Sequence, residues 1–162
     1  MFKARATLKV TPEELLAAMY SLQFVGRFDP TLIYGRVLHH FADGRTIVTH
    51  SANKNAVMTP RDFVDIISYK KLADGSYVFV DVGVPNALQH CPGCIRGAVV
   101  TFGYHLKPVA DKAEGAAAWT EATLLSQVLI GGWIPPALLP SLSICLSATM
   151  VPSRVASRAR AS

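Results

Sequence analysis

The chain has 162 residues, 51% of them hydrophobic and 17% charged, with a formal net charge of +5 at pH 7. This length corresponds to one domain with a sizeable core, and so apolar a composition excludes a largely disordered protein. Residues 151–162 carry three arginines and no acid, and the rest of the chain holds 13 basic against 11 acidic residues. This near-neutral body excludes a strongly basic nucleic-acid binder, and we predict that 151–162 form a disordered basic tail.

The N-terminal residues predict a strand followed by a helix. Apolar and polar residues alternate from residue 2 to residue 10, which is the pattern of a half-buried strand and not of a signal peptide. Thr11 suits the N-cap position, Pro12 the first helical position, and Glu14 completes a capping box. Gly26 and Pro30 mark the predicted exit of this helix. Its predicted apolar face consists of Leu15, Leu16, Met19 and Leu22.

Three pairs of β-rich segments predict hairpins. The first pair surrounds Asp43-Gly44 and the second surrounds Asp74-Gly75, and both dipeptides are typical of tight turns between antiparallel strands. The third pair surrounds a looser loop. Sequential hairpins with one early and one late helix predict an antiparallel α+β sheet. The predicted strands are 32–41 with 46–51, 63–72 with 76–84, and 95–106 with 117–129.

Pro60, Arg61 and Asp62 form a predicted corner, after which a strand begins at Phe63. Pro60 has a fixed φ and no N–H, and it keeps Thr59 extended. Arg61 and Asp62 are adjacent, so on a strand they point to opposite faces and cannot pair with each other. We predict that each stabilises the fold through a partner of its own, so that replacing either by alanine impairs folding more than function.

Cys91-Pro92-Gly93-Cys94 has the spacing of a redox pair or of half a zinc site. A redox pair is typically placed at a helix N-terminus, whereas residues 95–100 are β-rich, and a zinc site requires a second pair of ligands. We interpret the segment as a turn between strands and predict no metal and no cofactor, with redox chemistry and zinc binding as the alternatives. Three cysteines without a signal peptide indicate a reducing, cytoplasmic compartment.

The histidines leave an enzymatic function open without indicating one. His39, His40, His50 and His105 lie in predicted strands, and no serine stands in a recognisable catalytic motif. Because catalytic groups are assembled in space, a hydrolase is an alternative that requires His50 or His105 to face an internal cavity beside a carboxylate.

Residues 122–153 contain no charged side chain, so a membrane-spanning helix has to be considered. Glycines at 131–132 and prolines at 135, 136 and 140 interrupt the run and disfavour one span. We predict a strand, a turn and then a helix over roughly 136–150. Leu138, Leu142, Cys145 and Leu146 share one face of that helix.

Four motifs, in order, resemble those of the START domain, the lipid-transfer module related to the steroidogenic acute regulatory protein. The resemblance covers about residues 2–150, and the family's first helix and first strand have no counterpart. We therefore expect an N-terminally incomplete START-like domain over 1–150. The motifs are Phe28-Asp29, Pro60-Arg61-Asp62-Phe63-Val64, Cys91-Pro92-Gly93-Cys94-Ile95-Arg96-Gly97 and Gly131-Gly132-Trp133-Ile134-Pro135.

The resemblance implies the α+β helix-grip fold, in which a curved antiparallel sheet packs on a C-terminal helix with a lipid cavity between them. It implies a non-enzymatic protein that binds one sterol, bile-acid-like lipid or phospholipid and carries it between membranes. The implied partners are this lipid and, transiently, a membrane surface, with no nucleic acid. Related helix-grip proteins include cyclases and hydrolases, so an enzyme acting on a hydrophobic substrate and a membrane-anchored fragment are the alternatives.

The resemblance also assigns the site. Cholesterol-binding members carry a buried glutamate and arginine in the cavity, and Ser51 and Ile67 stand at those two positions. Because both charges are absent together, we expect a more neutral cavity, in which an Ile67→Arg change would meet no acid. Arg96 is expected in a structural ion pair. The predicted lipid-binding residues are Ser51, Ile67, Tyr69, Leu138, Leu142 and Cys145. The predicted structural signature is Pro60, Arg61, Asp62, Phe63, Arg96, Trp133 and Pro135.

Overall fold

The computed structural model describes residues 1–55, 58–84, 86–87, 90–109 and 119–132. Within them two helices and eight strands follow one another along the chain. They are β1 Phe2–Leu8, α1 Pro12–Tyr20, α2 Leu22–Phe28, β2 Leu32–His40, β3 Thr46–Asn55, β4 Met58–Lys71, β5 Tyr77–Gly83, β6 Ile95–Arg96, β7 Ala98–Val109 and β8 Trp119–Leu129.

The strands form one sheet in the order β1-β8-β7-β5-β4-β3-β2, in which all of these neighbours are antiparallel. The short strand β6 adds to β4 in parallel, with Arg61 opposite Ile95. The first and last described strands, β1 and β8, are therefore neighbours. The predicted antiparallel α+β architecture is confirmed.

The predicted start of the first helix is confirmed, whereas its predicted end is wrong. The side chain of Thr11 accepts the N–H of Glu14, and the Glu14 carboxylate accepts the N–H of Thr11, which is the predicted capping box. The helix ends at Tyr20, because Ser21 is extended and its hydroxyl caps a second helix by accepting the N–H of Phe24 at 3.3 Å. The residues predicted as one helix are therefore two.

The two predicted tight turns are confirmed. Gly44 and Gly75 adopt positive φ values of 65° and 80°, as such turns require. Asp43 accepts two backbone N–H groups across its turn, and Asp74 accepts the N–H of Ser76. In the third hairpin the single predicted strand from residue 95 is divided at Gly97, where a β-carbon would lie 2.3 Å from the Phe63 ring.

The predicted corner at Pro60 is a continuous part of β4, which begins at Met58. The register of β4 against β3 shifts between Asn53 and Asn55, so Thr59 and Pro60 lie opposite the irregularity. A proline can occupy a strand at such a point because no ladder hydrogen bond requires its missing N–H. The prediction that Pro60 excludes a helix is confirmed, but β4 continues through the point where we expected the chain to turn.

One face of the sheet packs against α1 and carries most of the buried apolar side chains. We call it the inner face and the opposite one the outer face. Leu15 of α1 is fully buried and belongs to the same apolar cluster as Ile47, Ile67 and Phe79. Directly paired residues of antiparallel strands share a face, so the registers extend this assignment across the whole sheet. The apolar cluster comprises Leu8, Val10, Leu15, Leu16, Ala18, Ile47, Ile67, Tyr77, Phe79, Tyr104, Leu106, Ala122 and Leu124.

Candidate functional site

Three predicted lipid-binding residues lie together on the inner face. Ile67 belongs to the buried cluster, Tyr69 packs against that cluster, and Ser51 is half-buried opposite Phe63. The Tyr69 ring meets the Tyr20 ring edge-on, with centroids 5.2 Å apart. Their common face is as predicted, and their contact with lipid stays a prediction.

Two acidic side chains that the sequence reasoning missed occupy the same face. Asp81 lies directly opposite Ile67 in the pairing of β4 with β5, and Asp65 precedes Ile67 by two positions on β4. Asp65 is only 5% exposed, and the Oδ1 atoms of Asp65 and Asp81 are both buried without a hydrogen-bond partner among the described residues. Ile67 therefore has one acid across from it and another beside it.

The environment of these two carboxyl groups favours their neutral forms. Burial raises the pKa of Asp65 to about 7, against a smaller opposing effect of the Arg96 guanidinium. Burial also raises the pKa of Asp81 well above its usual value, and the nearby Asp65 raises it further. Both shifts favour the protonated carboxyl, and a protonated carboxyl can donate as well as accept hydrogen bonds.

The expectation of a more neutral inner face did not include these two ionisable groups, whose neutral forms are favoured by burial. Its reasoning considered only Ser51 and Ile67, the positions of the charge pair in cholesterol-binding relatives. The structure places Asp81 opposite Ile67 and Asp65 on the same face. An arginine at position 67 would consequently lie next to two acids, so our expectation that it would meet none is wrong.

A third acidic residue, Asp62, is buried on the outer face, where its carboxylate has several hydrogen-bond donors. Its carboxylate accepts hydrogen bonds from Arg96 at 2.8 and 3.1 Å, from the Cys91 N–H at 2.9 Å and from His50 Nε2 at 3.0 Å. Burial alone would raise the pKa of Asp62, but these bonds outweigh it and hold the pKa well below its usual value. The ion pair expected for Arg96 is present, and it joins β4 to β6.

Arg61 has partners separate from those of Asp62, as predicted. Its guanidinium is buried and donates to the backbone carbonyls of Thr59, Ile130 and Gly131. These bonds tie the start of β4 to the residues that follow β8. Adjacent residues on one strand thus anchor two different segments.

The histidine arrangement required for a hydrolase is not formed by His50 or His105. His50 does lie beside a carboxylate, that of Asp62, but both project from the outer face, because Thr49 and Ser51 flank His50 on the inner side. His105 alternates with the inner-face residues Tyr104 and Leu106, and its Nε2 lies 3.1 Å from the Ser76 hydroxyl.

The Cys91–Cys94 segment forms a turn, as predicted. The Cys94 N–H donates to the Cys91 carbonyl at 3.0 Å, and Gly93 adopts a positive φ of 78°. Burial, the thiol of Cys91 and the nearby carboxylate of Asp62 raise the pKa of Cys94 to about 11. A thiol with a raised pKa is a poor nucleophile and a poor metal ligand. Within the described residues, no group of three or more potential ligands is arranged to hold a metal ion.

We predict that a Cys91→Ser/Cys94→Ser variant keeps its lipid binding. Its turn depends on backbone hydrogen bonds and on Gly93, not on the thiols. Metal analysis of the parent chain should find no stoichiometric zinc. One zinc per chain that disappears in the double variant would revive the metal-site alternative.

Part of the predicted site lies outside the described residues. The structure describes no helix long and apolar enough to span a membrane. The signature residues Trp133 and Pro135, the helix over roughly 136–150 and the tail 151–162 all fall in the undescribed part. The same holds for the predicted lipid-binding residues Leu138, Leu142 and Cys145.

Comparison with protein-family models identifies the family. The START domain model matches residues 1–151. The chain belongs to the START domain family. The predicted helix-grip fold class, a curved antiparallel sheet with few helices, is confirmed by this match and by the solved structures. START domains are lipid-binding and lipid-transfer modules, and this general character applies to the chain.

Solved structures of START proteins superpose on the chain at low sequence identity. The human StarD13 lipid transfer and protein localization domain is 18% identical, with a TM-score of 0.77 over 96% of this chain and 74% of that one. Human StAR-related lipid transfer protein 5 gives 18% identity and a TM-score of 0.77 over 95% and 71%. A STAR-related lipid transfer protein from Xanthomonas axonopodis is 16% identical, with a TM-score of 0.72 over 98% of this chain and 84% of that one. A comparison with curated proteins finds no match.

Proposed function

We propose that this START domain binds a single lipid against the inner face of its sheet and carries it between membranes without catalysis. The family match over residues 1–151 carries the proposal. The inner face supports it with apolar residues on four adjacent strands, among them Ile47, Ile67, Phe79 and Tyr104. Sterols, bile-acid-like lipids and phospholipids are the candidate ligands, and the proposed location is cytoplasmic, with transient contact at membrane surfaces.

The energetics of transfer fit a carrier. A lipid that buries about 400 Å² of carbon gains roughly 10 kcal/mol relative to water. The same lipid gains a comparable free energy in a bilayer, so protein and membrane compete on nearly equal terms. Such a protein delivers lipid in either direction along its gradient.

We place the opening point at Gly131 and Gly132. Both adopt a φ of 67°, a left-handed conformation that glycine favours, and they follow β8 directly. Arg61 holds the carbonyl of Gly131 on the sheet side. Leu138, Leu142 and Cys145, which we predict as lipid contacts together with Ser51, Ile67 and Tyr69, follow this point and lie outside the described residues.

A vesicle transfer assay with a matched pair of variants tests this function. Ser51→Phe adds a large side chain on the inner face, whereas Val82→Phe adds the same group on the exposed outer face. We expect Ser51→Phe to lower the transfer rate about tenfold, corresponding to about 1.4 kcal/mol, and Val82→Phe to leave it unchanged. Thermal melting of both variants checks that they are folded.

Equal transfer by the parent and a folded Ser51→Phe variant would contradict binding at the inner face. Absence of transfer by the parent chain for every sterol, bile acid and phospholipid offered would contradict the function itself.

A further inference from the structure

We propose that Asp65 and Asp81 form the polar end of the lipid site and select a lipid whose head group donates hydrogen bonds, a hydroxyl or an ammonium, over an anionic one. The inference rests on the proposed lipid binding. It adds the class of lipid and the residues that recognise its head group. Sulfated, phosphorylated and ionised carboxylate head groups would be rejected at this position.

The position of the two acids suits contact with a bound lipid. They lie on the same face as Ile67 and Tyr69, where the register puts Asp81 opposite Ile67 and Asp65 opposite Gly83. Gly83 brings no side chain to the Asp65 carboxyl, and the Val99 backbone occupies the place of its missing β-carbon. The acids thus lie near the centre of the inner face, between its apolar residues and the hydroxyl side chains of Thr49 and Ser51, where a bound lipid would need only one polar contact.

The hydrogen bonding of the two acids within the described residues also suits contact with a bound lipid. The buried Oδ1 atoms of both acids lack a hydrogen-bond partner among the described residues, and no salt bridge within that part of the chain reaches either carboxyl. Arg96 lowers the pKa of Asp65 through its charge, and two of its hydrogen bonds go to Asp62. Burying an unpartnered polar group is unfavourable, and such groups in native proteins call for an explanation.

Asp62 provides a comparison within the same chain, because it is a buried acid whose role is structural. Asp62 is fully buried on the outer face and has hydrogen bonds from Arg96, His50 and the Cys91 N–H. Asp65 is almost equally buried but lacks such donors among the described residues. A ligand that brings a donor would supply to Asp65 what the protein supplies to Asp62.

The chemistry of the pair defines the head group. A carboxyl and a carboxylate that share protons can accept a hydrogen bond from a hydroxyl and donate one back to its oxygen. An ammonium can donate to both acids at once. An anion brings only acceptors and a like charge, which buried carboxyl groups oppose. Hydroxyl and ammonium lipids share the donor chemistry, and the experiment separates them.

The test compares three head groups on one carbon skeleton. The probes are cholesterol, its 3-amino analogue and its 3-sulfate, together with hexadecanol, hexadecylamine and hexadecyl sulfate. Each is titrated against the full chain and against Asp65→Asn, Asp81→Asn and Glu121→Gln variants. The last is a matched control, because it removes one acid of β8 that bonds Arg5 at the surface.

We expect the parent and Glu121→Gln to bind the alcohol or the amine about tenfold more tightly than the sulfate of the same skeleton. Both asparagine variants should reduce this preference to about threefold or less while remaining folded. Tighter binding of the alcohol than of the amine, or the reverse, identifies which donor Asp65 and Asp81 recognise.

Equal binding of the sulfate by the parent, or an unchanged preference in a folded asparagine variant, would overturn the inference. So would binding of another lipid, such as a phospholipid, by a chain that binds neither series. These outcomes leave the proposed lipid carrier standing. A chain that binds no lipid at all would overturn the carrier and the inference together.

Discussion

Replacing Asp62 by alanine should lower the free energy of unfolding by about 3–5 kcal/mol, the usual cost of removing one partner from a buried ion pair. Asp62 is fully buried, and Arg96, His50 and the Cys91 N–H all donate to it. Its loss removes the acceptor of all three donors and leaves the Arg96 guanidinium without this carboxylate. Denaturant unfolding monitored by circular dichroism gives the change.

A paired substitution separates this ion pair from general damage to the core. We expect Asp62→Leu combined with Arg96→Met to be less destabilising than the sum of the single changes, because neither charge is left buried. Additive effects in this cycle would contradict the pairing. An Asp62→Ala variant that unfolds near neutral pH with the same free energy as the parent would contradict the structural role of Asp62.

Replacing Asp65 by asparagine should stabilise the protein at high pH, which is the opposite of the effect at Asp62. The pKa of Asp65 is raised from 3.8 to about 7 by burial. The folded state therefore binds its proton more tightly than the unfolded state, and the parent loses stability as the pH rises from about 4 to about 7. Three pKa units correspond to a loss of about 4 kcal/mol at most in the free energy of unfolding of the parent. A buried asparagine amide with unmet hydrogen bonds costs about half of this at every pH.

We therefore expect Asp65→Asn to gain about 2 kcal/mol at about pH 8, to lose about 2 kcal/mol at about pH 4, where the parent carboxyl is protonated, and to flatten the pH dependence between them. Glu121→Gln is the control, since it removes a surface acid whose ion pair with Arg5 contributes little. Loss of stability in Asp65→Asn at high pH would show that the carboxylate is satisfied by a partner beyond the described residues.

Local signals in the sequence predicted much of the fold. The capping box at Thr11 and Glu14 forms because both groups belong to one turn of backbone. The Asp43-Gly44 and Asp74-Gly75 turns form because glycine adopts the required positive φ. Such features depend on residues within a few positions of one another. The separation of α1 from α2 at Ser21 had the same kind of signal, a serine suited to cap the next helix.

The acid pair was missed because it depends on register and burial. Counting outward from the Asp74-Gly75 turn places Asp81 opposite Ile67, so the sequence did hold the signal for its position. Attention to Ser51 and Ile67, the positions of a charge pair in relatives, concealed it. The raised pKa values could not be read from the sequence, because they depend on how other elements exclude water from the two carboxyls.

The motifs that resemble those of START domains predicted one long-range contact, and other predicted contacts lie outside the described residues. Asp62 and Arg96 lie in two of the motifs that carried the resemblance, and the structure joins them in one ion pair. That contact spans 34 positions of the chain and could be expected only from the family resemblance. The predicted helix contacts of Leu138, Leu142 and Cys145 lie outside the described residues and remain predictions.

The most direct test of the account is native mass spectrometry of the purified full chain, before and after incubation with a lipid panel. We predict a bound mass of one lipid per chain. This mass should be lost on denaturation and should be exchanged for a lipid with a hydroxyl or ammonium head group supplied in vesicles. A chain that is folded, carries no lipid and takes up none of the panel would contradict lipid binding at the inner face.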